Sequence, residues 1–255
     1  MTKHRASRRK TLTAALSAAA SLALVLTGCS METVSPKDAR AKPVQQGMAA
    51  PDAVNCAKAE CIALTFDGGP GPYTAKLLDV LKEKDVPATF FLLGKKHIDR
   101  HPDLVRRIAD EGHEVANHTW THPRLTEVDA GQVREELERT QRELVKLTGK
   151  EPTLMRPPQG RTDEDVAKIC KELGLAQILW STTAKDYSTN DSGLIKERTL
   201  GQADRDGIIL LHDIYKGTVA AVPGIIDELK QRGYTFVTVP PLLAPGTAEP
   251  GKVYR

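Results

Sequence analysis

The stretch Cys61 to Pro70, CIALTFDGGP, decides how the rest of the chain is read. An apolar and β-branched run ends on one carboxylate, Asp67, and the chain then turns through Gly68-Gly69-Pro70. A short apolar run closed by turn residues is the pattern of a strand buried on both faces. The same design recurs downstream. The run 88–93 (ATFFLL) has it, as do 114–117 (EVAN) ahead of His118-Thr119-Trp120-Thr121-His122-Pro123 and 153–156 (TLMR) ahead of Pro157-Pro158-Gln159-Gly160. It returns at 176–181 (AQILWS) before Asp186-Tyr187, at 207–211 (GIILL) before His212-Asp213, and at 234–239 (YTFVTV).

Between these runs, apolar residues recur with a helical period over 74–84, 102–111, 126–148, 163–173, 192–201 and 218–232. Several of these segments stop at a glycine suited to a left-handed helix terminus: Gly112, Gly149, Gly174 and Gly233. Seven strands alternating with six helices predict an α/β fold of parallel strands joined by right-handed crossovers. Either a barrel-like (β/α) ring or an open doubly wound sheet satisfies that pattern. In both, the carboxyl ends of the strands share the face that carries chemistry, so the polar clusters are expected to meet there.

The remaining segments frame this domain. The 255 residues suffice for one large core plus a targeting segment. With 36 basic and 33 acidic residues, the net charge of +3 gives no nucleic-acid footprint. Lys3, Arg5, Arg8, Arg9 and Lys10 precede an apolar run from Ala14 to Leu26 and then Thr27-Gly28-Cys29. That run is short for a membrane span and reads as an export signal over residues 1–28. Leu26-Thr27-Gly28-Cys29 resembles the lipobox of bacterial lipoproteins. It implies lipidation of Cys29, attachment to the outer face of the cytoplasmic membrane, and export by the general or, through Arg8-Arg9, the twin-arginine route; the other reading is an ordinary secretory signal with an incidental Cys and a secreted protein. Residues 29–58 have the composition of a flexible tether, and 240–255 read as a loop-like, peripheral tail. Cys56 and Cys61 are spaced to close a small loop in an oxidising compartment, whereas Cys170 lies on the apolar side of a helix.

The chemistry rests on residue types at strand ends. Two histidines four apart after a strand, with Asp67 as an acidic candidate nearby in the fold, suit a borderline divalent cation with room for a water. His212 closes an apolar run, where a buried imidazole is costly unless it is used or satisfied. As an ordered set, Thr65 to Pro70, His118 to His122, Arg156 to Gly160, Asp186-Tyr187 and Leu210 to Asp213 resemble the motifs of the polysaccharide deacetylases, carbohydrate esterase family 4 or NodB-homology domain. The resemblance spans residues 59–239. It implies a distorted (β/α)7 barrel, with Asp67 as general base, His118 and His122 as metal ligands, and Arg156 orienting the base. It further implies oxyanion support from the Gln159 backbone, His212 as general acid tuned by Asp186, and Tyr187 and Leu211 lining a pocket for the acetyl methyl. The implied cofactor is Zn2+, with Co2+ or Ni2+ as substitutes, and the implied partner is an N-acetylated polysaccharide of the cell wall or a chitin-like polymer. A monomer is expected.

The chain departs from the motif at Gly68, where the family carries a second Asp that binds the metal. Smaller departures are Gln159, where an aromatic residue is common, and Tyr187 in place of Trp. The reading carried forward is removal of N-acetyl groups from N-acetylglucosamine-type residues. Its rivals are an O-acetyl esterase acting on xylan-like polymers and a non-catalytic glycan-binding lipoprotein.

Overall fold

The computed structural model describes residues 1–2, 31–41 and 54–255. The export signal and Cys29 lie outside them, as does part of the expected tether. Among the described residues ten strands form one sheet in which every pairing is parallel. They are β1 Thr33–Val34, β2 Cys61–Asp67, β3 Thr89–Leu92, β4 Glu114–Asn117, β5 Leu154–Met155, β6 Ala176–Ile178, β7 Thr182–Thr183, β8 Ile208–His212, β9 Thr235–Val237 and β10 Val253–Tyr254. Their lateral order is β1-β10-β6-β5-β4-β3-β2-β8-β7, with β9 pairing the first residues of β2. The sheet curls into a half-barrel with helices packed on its outside, which agrees with the (β/α) barrel expected from the sequence.

The core helices fall close to the predicted segments: α2 Thr74–Glu83, α3 Pro102–Asp110, α4 Ala130–Thr148, α5 Glu164–Glu172, α6 Ser192–Leu200 and α7 Lys216–Gln231. The predicted start of α4 at 126 is too early. The Asp129 side chain accepts from Gln132 N–H, so the N-cap sits there and a separate turn precedes it.

Strand alternation divides the core in two. Ile62, Leu64 and Phe66 of β2 point outward and pack with Leu77, Leu78 and Leu81 of α2 and Ile225, Ile226 and Leu229 of α7. Cys61 and Ala63 point inward, where they meet Ala116, Ala176, Ile178 and Ile208. Small residues on several strands leave space inside the half-barrel, and the chain fills it with its own later segment. Helix α8, Val239–Leu243, places Val239, Leu242 and Leu243 in that interior, and Tyr254 joins them.

The segment after Pro240 is therefore not peripheral. Strand β10 inserts between β1 and β6, with Val253 and Tyr254 each 1% exposed. A second difference lies in the expected tether, where β1 and α1, Pro36–Ala41, are ordered and α1 packs against α8. Both segments are rich in Pro and Ala and too short to show a period, so their structure comes from tertiary contacts. Cys56 and Cys61 form a disulfide, and Cys170 is a buried free thiol whose pKa burial pushes up to about 12. No helix among the described residues is long and apolar enough to cross a membrane.

Candidate active site

The inward alternation that places Cys61 and Ala63 in the interior continues through Thr65 to Asp67, so β2 delivers its carboxylate to the rim of the half-barrel. Arg156, at the end of β5, is 0% exposed and fills the interior beneath it. Its guanidinium donates to Asp67 Oδ1 at 2.6 Å, Thr65 Oγ1 at 2.8 Å and the carbonyls of Ile178 at 2.9 Å and Leu179 at 3.1 Å, and it lies 4.0 Å over the Phe91 ring. A buried cation is tolerated only when so fully bonded. One consequence is that Asp67 Oδ1 is fixed and Oδ2 faces the opening.

There Oδ2 meets the imidazole of His118, whose Nε2 lies 3.8 Å away. His118 Nδ1 donates to the Arg156 carbonyl at 2.8 Å, which leaves Nε2 bare as an acceptor. Burial is the main cause that lowers the His118 pKa to about 4, against the opposing charge of Asp67. Burial likewise lowers that of His122. Both rings are thus neutral near pH 7, with centroids 4.9 Å apart.

The loop carrying them is held from beneath. Asn117 Oδ1 accepts from Thr119 N–H at 2.8 Å, and its amide donates to Leu137 O and Gln141 Oε1 of α4. Glu136, also on α4, accepts from the N–H groups of Trp120 and Thr121 and from the Thr121 hydroxyl. Positive φ at Thr119 and His122 turns the second ring toward the first. Glu136 is a supporting residue that the sequence reading missed, since a charged residue on an amphipathic helix ordinarily faces water. Glu136→Ala leaves buried N–H groups unpaired and is expected to lower stability by about 2–3 kcal/mol, measured by chemical denaturation, with His122 displaced and metal affinity reduced.

Across the opening, His212 is the register partner of Asp67 on the adjacent strand β8. Asp186 grips it twice, accepting from the ring Nδ1 at 2.8 Å and from the backbone N–H at 2.8 Å, while Thr218 donates to the same carboxylate at 2.7 Å. Burial acts to lower the His212 pKa. The hydrogen bond and charge of Asp186, joined by Asp67 and Asp213, outweigh it and raise that pKa above the usual imidazole value. The next residue, Asp213, is fully buried and bonded by the Thr74 hydroxyl, which also accepts from Gly71 N–H. Gly69 lies so close that a Cβ there would sit 2.1 Å from Asp213 Oδ2. This contact locks the Asp67 loop onto the strand that carries His212, and only glycine permits it.

These groups open on one groove of about 610 Å³, lined also by Gln159, Trp180, Lys185, Tyr187, Leu210 and Tyr215. Gln159 and Tyr187 are at the expected wall, Gln159 with a left-handed backbone and its side chain accepting from Arg124 at 3.0 Å. Leu211 is not. It is 0% exposed and packs outward among the helices, and Leu210 lines the groove in its place. The reason is the alternation of β8: Ile208, Leu210 and His212 share the inner face, and a residue adjacent to His212 must point away. Trp180, Thr183, Lys185 and Tyr215 are further lining residues that the sequence reading did not single out.

Two neutral imidazoles, His118 with its Nε2 bare, beside a carboxylate are the donor chemistry of a divalent-cation site, so the donors present fit one. Asp67 is already committed to Arg156, and among the described residues no group of three or more His, Cys, Asp or Glu side chains is arranged to hold a metal. Gly68, with a φ of +81°, contributes none. His118 and His122 are the residues that would hold such an ion.

Residues 54–178 match the polysaccharide deacetylase family. The chain is 41% identical over 179 residues to the peptidoglycan-N-acetylglucosamine deacetylase PgdA of Listeria monocytogenes, an alignment covering 70% of this chain and 38% of that protein. It is 38% identical over 191 residues to the peptidoglycan-N-acetylmuramic acid deacetylase PdaA of Bacillus subtilis, covering 73% and 72% of the two chains. A solved T48 deacetylase with substrate superposes with a TM-score of 0.76 at 37% identity, over 80% of this chain and all of that one. With the fold, the strand-end residues and these similarities in agreement, the chain belongs to the polysaccharide deacetylase family.

Proposed function

We propose that the protein removes acetyl groups from an N-acetylated cell-wall glycan, using a divalent cation held by His118 and His122. The carrying observation is that Asp67 and His212, register partners on adjacent strands, open on one groove while each is gripped by its own opposite charge. Amide hydrolysis needs a base for the attacking water and an acid for a poor leaving group. Asp67, aimed by Arg156, accepts the proton of the water at Oδ2. His212, whose raised pKa keeps its proton to a higher pH than a free imidazole, delivers that proton to the departing nitrogen, with Asp186 balancing the charged ring. A bound Zn2+, or Co2+ or Ni2+ in its place, would supply acidity to a water and polarise the acetyl carbonyl.

The similarity to deacetylases of peptidoglycan N-acetylglucosamine and N-acetylmuramic acid supports an N-acetyl substrate over an O-acetyl ester, whose alcohol leaving group needs less help from an acid. Acetate release from N-acetylglucosamine oligomers and peptidoglycan, compared with acetylated xylan, tests this. Turnover of the N-acetylated substrates that falls on chelation and returns with Zn2+ is the expected result, and release from xylan alone would overturn it. His118→Ala is expected to lower metal affinity and rate together, read by metal titration and by kcat. A variant that keeps its metal would place the site elsewhere.

The lipobox-like sequence supports an anchored location. Cys29 as the lipidated residue predicts that Cys29→Ala moves the protein from the membrane to the medium, read by fractionation and by lipid labelling.

A further inference from the structure

Within the deacetylase reading, we propose that Lys185 selects a glycan bearing a carboxylate next to its acetamide, the chemistry of a muramoyl lactyl group, over a neutral N-acetylglucosamine oligomer.

Lys185 lines the groove alongside His212, Trp180 and Thr183, and it is exposed. Among the described residues it has no ion-pair partner, whereas neighbouring rim cations are occupied: Arg124 and Arg161 both pair with Glu127. The one carboxylate that lines the groove, Asp67, is buried and bound by Arg156. The Lys185 ammonium is therefore an uncompensated charge directed at whatever occupies the groove, and an anion is its natural complement.

The root of the side chain is fixed. Lys185 has left-handed backbone angles, φ 49° and ψ 44°, which are costly for a residue with a Cβ. Its carbonyl accepts from the Ser188 hydroxyl at 2.6 Å and the Ser188 N–H at 2.9 Å, and its N–H donates to Thr183 Oγ1 at 3.3 Å. The next residue is Asp186, anchored by His212 and Thr218. The cation thus springs from beside the group that faces the departing nitrogen. On an N-acetylated hexosamine that nitrogen is on C2, and an ether-linked lactyl group on C3 places its carboxylate beside it.

The experiment compares a muramic-acid-containing disaccharide, the same disaccharide with its lactyl carboxyl converted to a neutral amide, and a neutral N-acetylglucosamine dimer. Each is assayed for acetate release and, by calorimetry, for binding to the metal-loaded full-length protein and its Lys185 variants. A preference for the carboxylate over its amide that drops roughly 5–10-fold in Lys185→Gln, survives in Lys185→Arg, reverses in Lys185→Glu and shrinks in high salt is the expected result. A carboxylate-to-amide ratio that is the same in the wild type and Lys185→Gln would overturn the proposal. Absence of acetate release from all three would defeat the deacetylase reading, while the binding ratio would still decide the role of Lys185.

Discussion

His212→Ala is expected to reduce acetate release by about 10²- to 10⁴-fold, the usual worth of a positioned acid, while metal content stays as in the wild type. The separation follows from geometry: the bonded partner of His212 is Asp186, and the bare Nε2 of His118 faces Asp67 instead. Asp186→Asn refines the test by pH. Because the folded pKa of His212 is raised, the ring keeps its proton to a higher pH than a free imidazole. Activity that needs the proton is complete on the acid side of that pKa and falls as pH rises through it. The stability linked to the same group has the same sign, fully present below the ordinary imidazole value and lost as pH climbs past the raised one. Removing the Asp186 charge brings the pKa down, so the alkaline limb of kcat/KM moves to lower pH. An alkaline limb that stays in place in Asp186→Asn would reassign the acid.

Gly68→Asp is the second large effect, and here a gain is expected. A Cβ at Gly68 would meet Ile214 Cδ1 at 3.6 Å and His212 Cδ2 at 4.0 Å, ordinary contacts, so space is available. The backbone φ of +81° is unfavourable, although aspartate is among the residues that tolerate left-handed geometry. The family resemblance makes this position that of an anionic metal ligand, which the new carboxylate would restore. Metal binding should tighten by more than the roughly 10- to 100-fold that partners outside the coordination shell contribute. Isothermal titration with Zn2+ measures this, and parallel kcat values show how far the native site was limited by metal. A wild-type protein with no turnover beside an active variant would shift the assignment to glycan binding.

Much of this site could be read from strand ends. Asp67, Arg156 and His212 each close an apolar run, His118 directly follows the short strand Glu114–Asn117, and a parallel half-barrel gathers such ends at one rim. His122 and Asp186 follow on the loops just beyond. What escaped the sequence reading did so for particular physical reasons. Leu211 and Leu210 are equally apolar, and only the phase of β8 tells which of them faces the groove. Counting back from His212 in steps of two would have found it. Glu136 looks like any charge on the solvent side of α4, and its role depends on a loop whose path the sequence does not show. The tail after Pro240 has no periodicity, because its residues are placed by an interior shaped by Ala63, Ala116 and Ala176 on distant strands.

That borrowed interior bears on how the protein can be shortened. Arg156 aims Asp67 while leaning on the carbonyls of Ile178 and Leu179, and the strand that supplies Ile178 is flanked by Val253 and Tyr254, which in turn border Thr33 and Val34. A recombinant version trimmed to the motif-bearing span 59–239 would keep every residue that lines the groove. It would also unpick the seam that keeps the base on target, so the shortest faithful version starts near residue 31 and runs through 255.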